Sequence, residues 1–477
     1  MSAPEISAPG HRPASLKVAS GLLGLATMVT RLTTLVIMAL LARGAGAEAV
    51  GFYGLATLSA SFAAAALSVG FPTYLTRNVS AGLVPHPEVA RIHTTRLLVM
   101  LLAAAICWPV AGFTVPGAVQ LGFFLFFLSS LLEQWNETAW VLVRGTRKAW
   151  REALANAIAS VTLVAACGAD ALLAGGLSFT RAAVYMALAS LLRSVLAFWL
   201  SGVWRQLLVP GRVDLVGRSR QAVPYFAADL LGLMYFRGDT LVLALFVAAS
   251  QVGEYVSATG IVGPAVQVAS SMGVGALAYA APRVLGGGRP DEPVTIFRFF
   301  QIAGFGATGV MLAGLPIATL ILFGDEGATI MHLAMILALF LALRFANFGL
   351  SAVLLAGGKA SSRLIVLVVS MLGNVALNLA LDGRYGAFGA AWSTVLTELI
   401  VASSLLYFLH DRTLLRPVAA STAFVAVVAV VLVTLVELLP LAGASVGTGI
   451  LFLAGAAAVV VVRRRFARPA QTANTGA

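Results

Sequence analysis

Four arginines, Arg31, Arg193, Arg237 and Arg344, stand near the middle of apolar runs about long enough to cross a bilayer. An ionised side chain at the centre of such a run costs about 2.5–3.5 kcal/mol on insertion scales unless protein, water or an anion lies beside it. A guanidinium stays charged at any working pH and presents a planar fork that fits phosphate bidentately, so a cluster of them is an anion site in waiting. The densest case is Tyr225–Phe246, read YFAADLLGLMYFRGDTLVLALF, which carries Asp229, Arg237 and Asp239. At 100° per residue Arg237 and Asp239 point to nearly opposite sides of one helix and cannot pair within it. The spacing therefore predicts a wet cavity, with one of the two facing it and the other facing a neighbouring helix.

The acids offer a second chemistry. Glu133 and Glu137 lie one helical turn apart, beside Asn136 and Thr138. Two carboxylates so placed in a low dielectric disfavour joint ionisation, and one can hold a proton whose release couples transport to a gradient. Asp229, Asp239 and Glu398 are candidates for the same role. Structural pairing is the alternative: Arg237 with Asp229 or Asp239 on a neighbour, Arg193 with Glu398, and Glu137 with Arg144 or Arg147 at the membrane surface. Asn347, Asn374, Asn378, Trp135, Tyr235 and Gln267 could serve the hydroxyls of a polar cargo. Helix-to-helix hydrogen bonding is the competing reading for Asn374 and Asn378. His86, His93, His332 and His410 have no partner at ligand spacing, so no metal and no cofactor is expected. Cys107 and Cys167 read as two small buried hydrophobes.

The elements that must position these groups follow from composition. Of 477 residues, 60% are hydrophobic and only 10% charged, where a soluble domain carries about a quarter charged. The chain reads as an all-α polytopic membrane protein with fourteen apolar segments, at 17–42, 50–75, 97–114, 118–143, 153–174, 182–204, 222–247, 254–282, 297–323, 328–356, 361–381, 386–409, 417–439 and 444–462. The net charge of +12 comes from Lys and Arg in short loops, which is the mark of membrane orientation rather than of nucleic-acid binding. With both termini cytoplasmic, only Arg43, Arg181 and Arg384 fall in loops on the far side. Glu254, Asp170, Glu437, Asp325 and Glu326 then lie near the outer face as solvated acids. Residues 1–16 and 467–477 read as disordered ends. No loop exceeds about twenty residues, which leaves no room for a surface catalytic domain. An enzyme is therefore not expected.

The chain also repeats. Val50-Gly51-Phe52-Tyr53-Gly54-Leu55-Ala56-Thr57 is echoed 202 residues later by Val252-Gly253-Glu254-Tyr255-Val256-Ser257-Ala258-Thr259. Leu142-Val143-Arg144-Gly145-Thr146-Arg147-Lys148-Ala149 is echoed by Leu354-Leu355-Ala356-Gly357-Gly358-Lys359-Ala360. Both echoes match segment n to segment n+6, which is a parallel repeat about an axis along the membrane normal. Two six-helix lobes, 17–204 and 222–410, are expected around a central cavity, joined by a linker at 205–221 and followed by two added helices within 411–466. The offset places Arg31 at Leu233, one turn from Arg237, so the two arginines are expected to face each other across the axis. Pro72, Pro264 and Pro316 are expected to interrupt their helices, with Gly273 and Gly275 as further points of bending.

The order and spacing of Thr30-Arg31-Leu32, Leu41-Ala42-Arg43-Gly44, Phe236-Arg237-Gly238-Asp239, Val252-Gly253-Glu254-Tyr255 and Gly386-Ala387-Phe388-Gly389-Ala390-Ala391-Trp392 resemble the polysaccharide exporters, or O-antigen-type flippases. Multidrug and toxin extrusion antiporters and lipid II flippases belong to the same superfamily. The resemblance runs from about residue 17 to 410 and implies alternating access in the cell membrane, with a polyprenyl-diphosphate-linked oligosaccharide as cargo and a glycan polymerase as an associated protein. Alternatives are a cation-coupled multidrug antiporter, whose cationic cargo would call for an acidic cavity, and a lipid II flippase. A membrane-embedded glycan polymerase or ligase would carry a long outer loop, which is absent.

Overall fold

The computed structural model describes residues 16–80, 83–114, 116–143, 148, 150–207, 215–285, 292–324 and 327–466. The expected disordered ends, apart from residue 16, lie outside the described residues, as do Arg144, Arg147, Asp325 and Glu326. The first half of the chain forms α1 (Leu16–Ser68), α2 (Phe71–Ser80), α3 (His86–Thr114), α4 (Gly117–Trp140), α5 (Trp150–Leu173), α6 (Phe179–Ser201) and the short α7 (Val203–Leu207). The second half forms α8 (Leu215–Leu243), α9 (Ala249–Leu285), α10 (Glu292–Phe323), α11 (Gly327–Ala356), α12 (Ala360–Tyr385) and α13 (Ala387–Leu409), with α14 (Arg412–Leu438) and α15 (Leu441–Phe466) added. There is no strand among the described residues.

Twelve helices are long and apolar enough to cross a membrane among the described residues. Two details reconcile these with the fourteen segments of the sequence. Helix α1 is two helices run together across Gly46, whose φ of 80° and ψ of 177° only glycine adopts without strain. Helix α8 spans 29 residues but carries Arg218, Arg220, Asp229, Arg237 and Asp239, which places it outside that apolar set. It starts at Leu215, inside the expected linker, because Arg218 donates from Nε and Nη2 to the two Glu88 carboxylate oxygens at 2.8 and 3.0 Å and ties its first turns to α3.

The proline expectation needs correction. Pro72 is the second residue of α2, where its missing N–H costs nothing. The chain breaks just before it, at Val69 and Gly70, both with positive φ. Helices α9 and α10 run unbroken through Pro264 and Pro316.

The helices pack in the repeated pattern that the sequence echo implies. Helix α4 packs on α6 as α11 packs on α13, α5 on α6 as α12 on α13, α3 on α4 as α10 on α11, and α1 on α5 as α8 on α12. The result is two six-helix lobes, with α15 laid along α10 and α14 beside it. Helix α11 sits deepest, with 94% of its most apolar stretch buried inside the protein. A helix that is apolar all round belongs in such a place.

The lobes meet where the echoed segments cross. A Cβ added at Gly51 would stand 1.7 Å from the Ala249 carbonyl oxygen, and one added at Gly253 would stand 2.0 Å from the Ala47 carbonyl oxygen. Ala47 and Ala249 are themselves 202 residues apart, as Gly51 and Gly253 are. Each helix thus contributes Ala-x-x-x-Gly to a crossing in which backbone touches backbone, the arrangement that small residues allow inside a membrane. Gly51→Ala and Gly253→Ala should each destabilise the protein by roughly 1–3 kcal/mol through overpacking. Gly168→Ala on α5, where a Cβ meets open space, should not; thermal melts of the detergent-solubilised variants check the contrast.

Candidate functional site

Beneath the crossing, α1, α4, α5, α6, α8, α9, α11, α12 and α13 enclose a cavity of about 560 Å³. All four mid-membrane arginines line it, and their surroundings divide them into two kinds.

Arg193 and Arg344 are neutralised. On the first lobe Arg193 Nη1 of α6 lies 2.7 Å from Glu133 Oε1 of α4. On the second lobe Arg344 Nη1 of α11 lies 3.3 Å from Glu398 Oε1 of α13. Helices α4 and α11 are repeat mates, as are α6 and α13, so each lobe carries one ion pair across equivalent helices with the signs exchanged. The suggested pairing of Arg193 with Glu398 is thereby corrected: each finds its partner within its own lobe, because the neighbouring helix of a lobe is closer than a mate across the axis.

Arg344 is held further. It hydrogen-bonds the Tyr235 hydroxyl, and its guanidinium carbon stands 4.8, 5.0 and 5.6 Å from the ring centres of Phe340, Tyr235 and Phe236. Asn347 Nδ2 donates to Glu398 Oε2 at 2.8 Å and to the Glu398 carbonyl at 2.9 Å. A buried charge in low dielectric needs this degree of satisfaction.

Arg31 and Arg237 are different. Both are exposed side chains on the cavity wall, close enough for each charge to act on the other. Neither forms a salt bridge among the described residues. They come from α1 and α8, the first helix of each lobe, as the 202-residue offset implies.

The acids are likewise sorted. Asp239 and Arg237 both line the cavity, and Asp239 also meets the neighbouring helix α9. Tyr255 Oη donates to Asp239 Oδ2 at 2.5 Å and lies 3.2 Å from Thr394 Oγ1. Glu133 lines the cavity, whereas Glu137, one turn on, does not and is felt electrostatically by buried Arg96. Asp229 accepts from Thr73 Oγ1 at 3.1 Å, away from the cavity lining.

Among the polar candidates, Tyr235, Gln267 and Asn374 line the cavity. Asn347 does not, being spent on Glu398. Asn378 is fully buried and donates to Asn374 Oδ1 at 3.1 Å. Trp135 also lies elsewhere: its Nε1 donates to the His93 carbonyl at 2.7 Å and its ring stacks on the His93 ring 4.1 Å away. No group of three or more His, Cys, Asp or Glu residues that could hold a metal occurs among the described residues.

One acid escaped the sequence reading. Asp382 on α12 is 1% exposed, and neither carboxylate oxygen has a hydrogen-bond partner among the described residues. It acts electrostatically with Asp239. Asn374, Asn378 and Asp382 form one i, i+4, i+8 stripe, so the signal lay in a spacing of which two members had been noticed.

The sequence profile of the family described as polysaccharide biosynthesis protein matches residues 19–278. No curated protein matches the chain in sequence. Among solved structures, the lipid II flippase MurJ in an inward closed conformation superposes with a TM-score of 0.68 at 10% identity, over 94% of this chain and 100% of that one. A multidrug resistance MATE family transporter of the MOP superfamily, in an outward-facing conformation, superposes with a TM-score of 0.56 at 16% identity, over 84% of this chain and 95% of that one. A MOP superfamily transporter from Pyrococcus furiosus, described by the reverse polarity of its binding pocket, superposes with a TM-score of 0.53 at 16% identity, over 82% and 95%. These likenesses show the two-lobe fold of those transporters, and the family match spans more than half of the chain: it is a multi-pass membrane protein that belongs to the polysaccharide biosynthesis protein family.

Proposed function

We propose that the protein is a flippase for polyprenyl-diphosphate-linked oligosaccharide, moving the glycan head group from the inner to the outer leaflet of the cytoplasmic membrane while the lipid tail stays in the bilayer. The observation that carries this reading is the pair Arg31 and Arg237. Of four cavity arginines these two have no carboxylate to neutralise them among the described residues, and they come from opposite lobes. Two facing guanidinium groups repel each other until an anion of matching charge sits between them, and a diphosphate has that charge and the oxygen geometry for two forks. Thr30, Thr34, Thr57, Ser129, Thr259 and Gln267 line the same space and offer the hydroxyls and amide that a glycan needs.

A cationic drug is a poor fit to this cavity. Glu133 and Glu398 are neutralised by arginine, which leaves an excess of positive charge facing the substrate. Lipid II carries the same diphosphate on the same kind of tail and is distinguished by experiment. The distribution of Lys and Arg supports a cytoplasmic side for both termini, and a glycan polymerase would consume the product on the outer side.

Coupling is assigned to Asp239 with Asp382. A carboxylate that is buried without a hydrogen bond, facing a second carboxylate, is stable when a proton or a monovalent cation sits between them. Tyr255 joins Asp239 to the helix that carries the interlobe crossing. Binding of the ion on the second lobe is thereby linked to the contact that must separate when the cavity changes sides.

In proteoliposomes, the wild type should flip a fluorescent polyprenyl-diphosphate oligosaccharide, and Arg31→Ala and Arg237→Ala should each slow it at least tenfold at unchanged size-exclusion profile. Faster movement of lipid II or of a cationic dye than of the oligosaccharide overturns the assignment of cargo. Asp239→Asn and Asp382→Asn should remove the response of flipping to an imposed proton or sodium gradient; an undiminished response in both variants excludes them from coupling.

A further inference from the structure

Phe236 lines the cavity and is 54% exposed, whereas Phe126 and Phe340, which also line it, are 1% and 7% exposed. Its sequence neighbour on α8 is Arg237, one of the two unpaired arginines, and both line the same cavity. The ring is braced from within the protein. The Arg344 guanidinium carbon lies 5.6 Å from its centre, and the Tyr235 ring packs against its edge at 5.1 Å and 74°. Arg344 is in turn fixed by Glu398 and Glu398 by Asn347. A network of this length holds one aromatic ring still and leaves more than half of its surface uncovered.

We infer that Phe236 is a stacking platform for the first sugar ring of the cargo, and that Arg344, Glu398 and Asn347 are the positioning residues that aim it. The inference rests on the reading that Arg31 and Arg237 hold the diphosphate. A gluco-configured hexopyranose has its ring hydrogens on two faces and its hydroxyls around the rim. The hydrogens are electropositive and fit the electronegative face of an aromatic ring, while the hydroxyls seek amides and hydroxyls. With the diphosphate at Arg237, the sugar bonded to it is the group that arrives at the next residue. Gln267 and Asn374 line the same cavity and can meet its hydroxyls. The Arg344 pairing is therefore not idle neutralisation. It prevents an uncovered phenylalanine from collapsing onto the cavity wall, and it keeps the phosphate and sugar subsites in register on one helix.

The platform gives the transporter a means to prefer glycosylated lipid over the bare lipid carrier. Binding of two probes to the full-length protein in nanodiscs tests this: a polyprenyl diphosphate without sugar and the same lipid carrying one glucose. The read-out is the ratio of the two affinities. Phe236→Ala should lower the preference for the glycosylated probe by about five- to tenfold, the size of an aromatic contact. Phe236→Trp, which keeps a flat ring, should retain the preference and also guards against a loss caused by misfolding. Arg344→Lys, which keeps the charge but not the planar contacts, should lower the same ratio. An unchanged ratio in Phe236→Ala, or an equal fall in Phe236→Ala and Phe236→Trp, overturns the platform. Failure of the wild type to bind even the bare diphosphate lipid, or retention of that binding in Arg237→Ala, instead overturns the diphosphate site on which it rests.

Discussion

A positive charge in the middle of a membrane has to be answered, and the answers given to four arginines organise this protein. Two are answered from within. Arg193 and Arg344 each take a glutamate from the neighbouring helix of the same lobe, and the exchange of signs between lobes shows that what the repeat preserves is the ion pair rather than the residue types. The other two, Arg31 and Arg237, stand on the first helix of each lobe and line the same cavity. Each charge acts on the other, and neither has a salt-bridge partner among the described residues.

The second constraint is steric. Ala47, Gly51, Ala249 and Gly253 let two helices from different lobes approach until their backbones touch, and the cavity lies to one side of that contact. Helices α1 and α9 carry this crossing and also carry Arg31 and Tyr255. Any shift of the crossing therefore carries Arg31 with α1, and Tyr255, with its bond to Asp239, with α9. The contact between the lobes is made by small residues that pack tightly and leave no long side chains interlocked across it.

Much of this was legible in the sequence. Apolar length and the placement of Lys and Arg marked the membrane class and the number of crossings, and the 202-residue echo pointed to two lobes and to Arg31 opposite Arg237. Partner choice was not legible, for a physical reason. Helical periodicity says which way a side chain points but not which helix stands there, so Arg193 was matched with Glu398 when Glu133 was in reach, and Trp135 was offered to a sugar when it stacks on His93. The break between the first two apolar segments, expected within 43–49, falls at Gly46. Asp382 was hidden at the end of its apolar segment, where an acid reads as solvated. Phe236 was hidden by its type, since a phenylalanine in a membrane helix is unremarkable until the structure shows it uncovered beside a cation.

The central claim is that the unpaired arginines, and not the paired ones, hold the diphosphate. A structure of the protein with polyprenyl-diphosphate sugar bound in nanodiscs tests it most directly. The account requires phosphate density bridging Arg31 and Arg237, with the Arg193–Glu133 and Arg344–Glu398 pairs intact. Phosphate seated on Arg193 or Arg344, with its glutamate displaced, would contradict it.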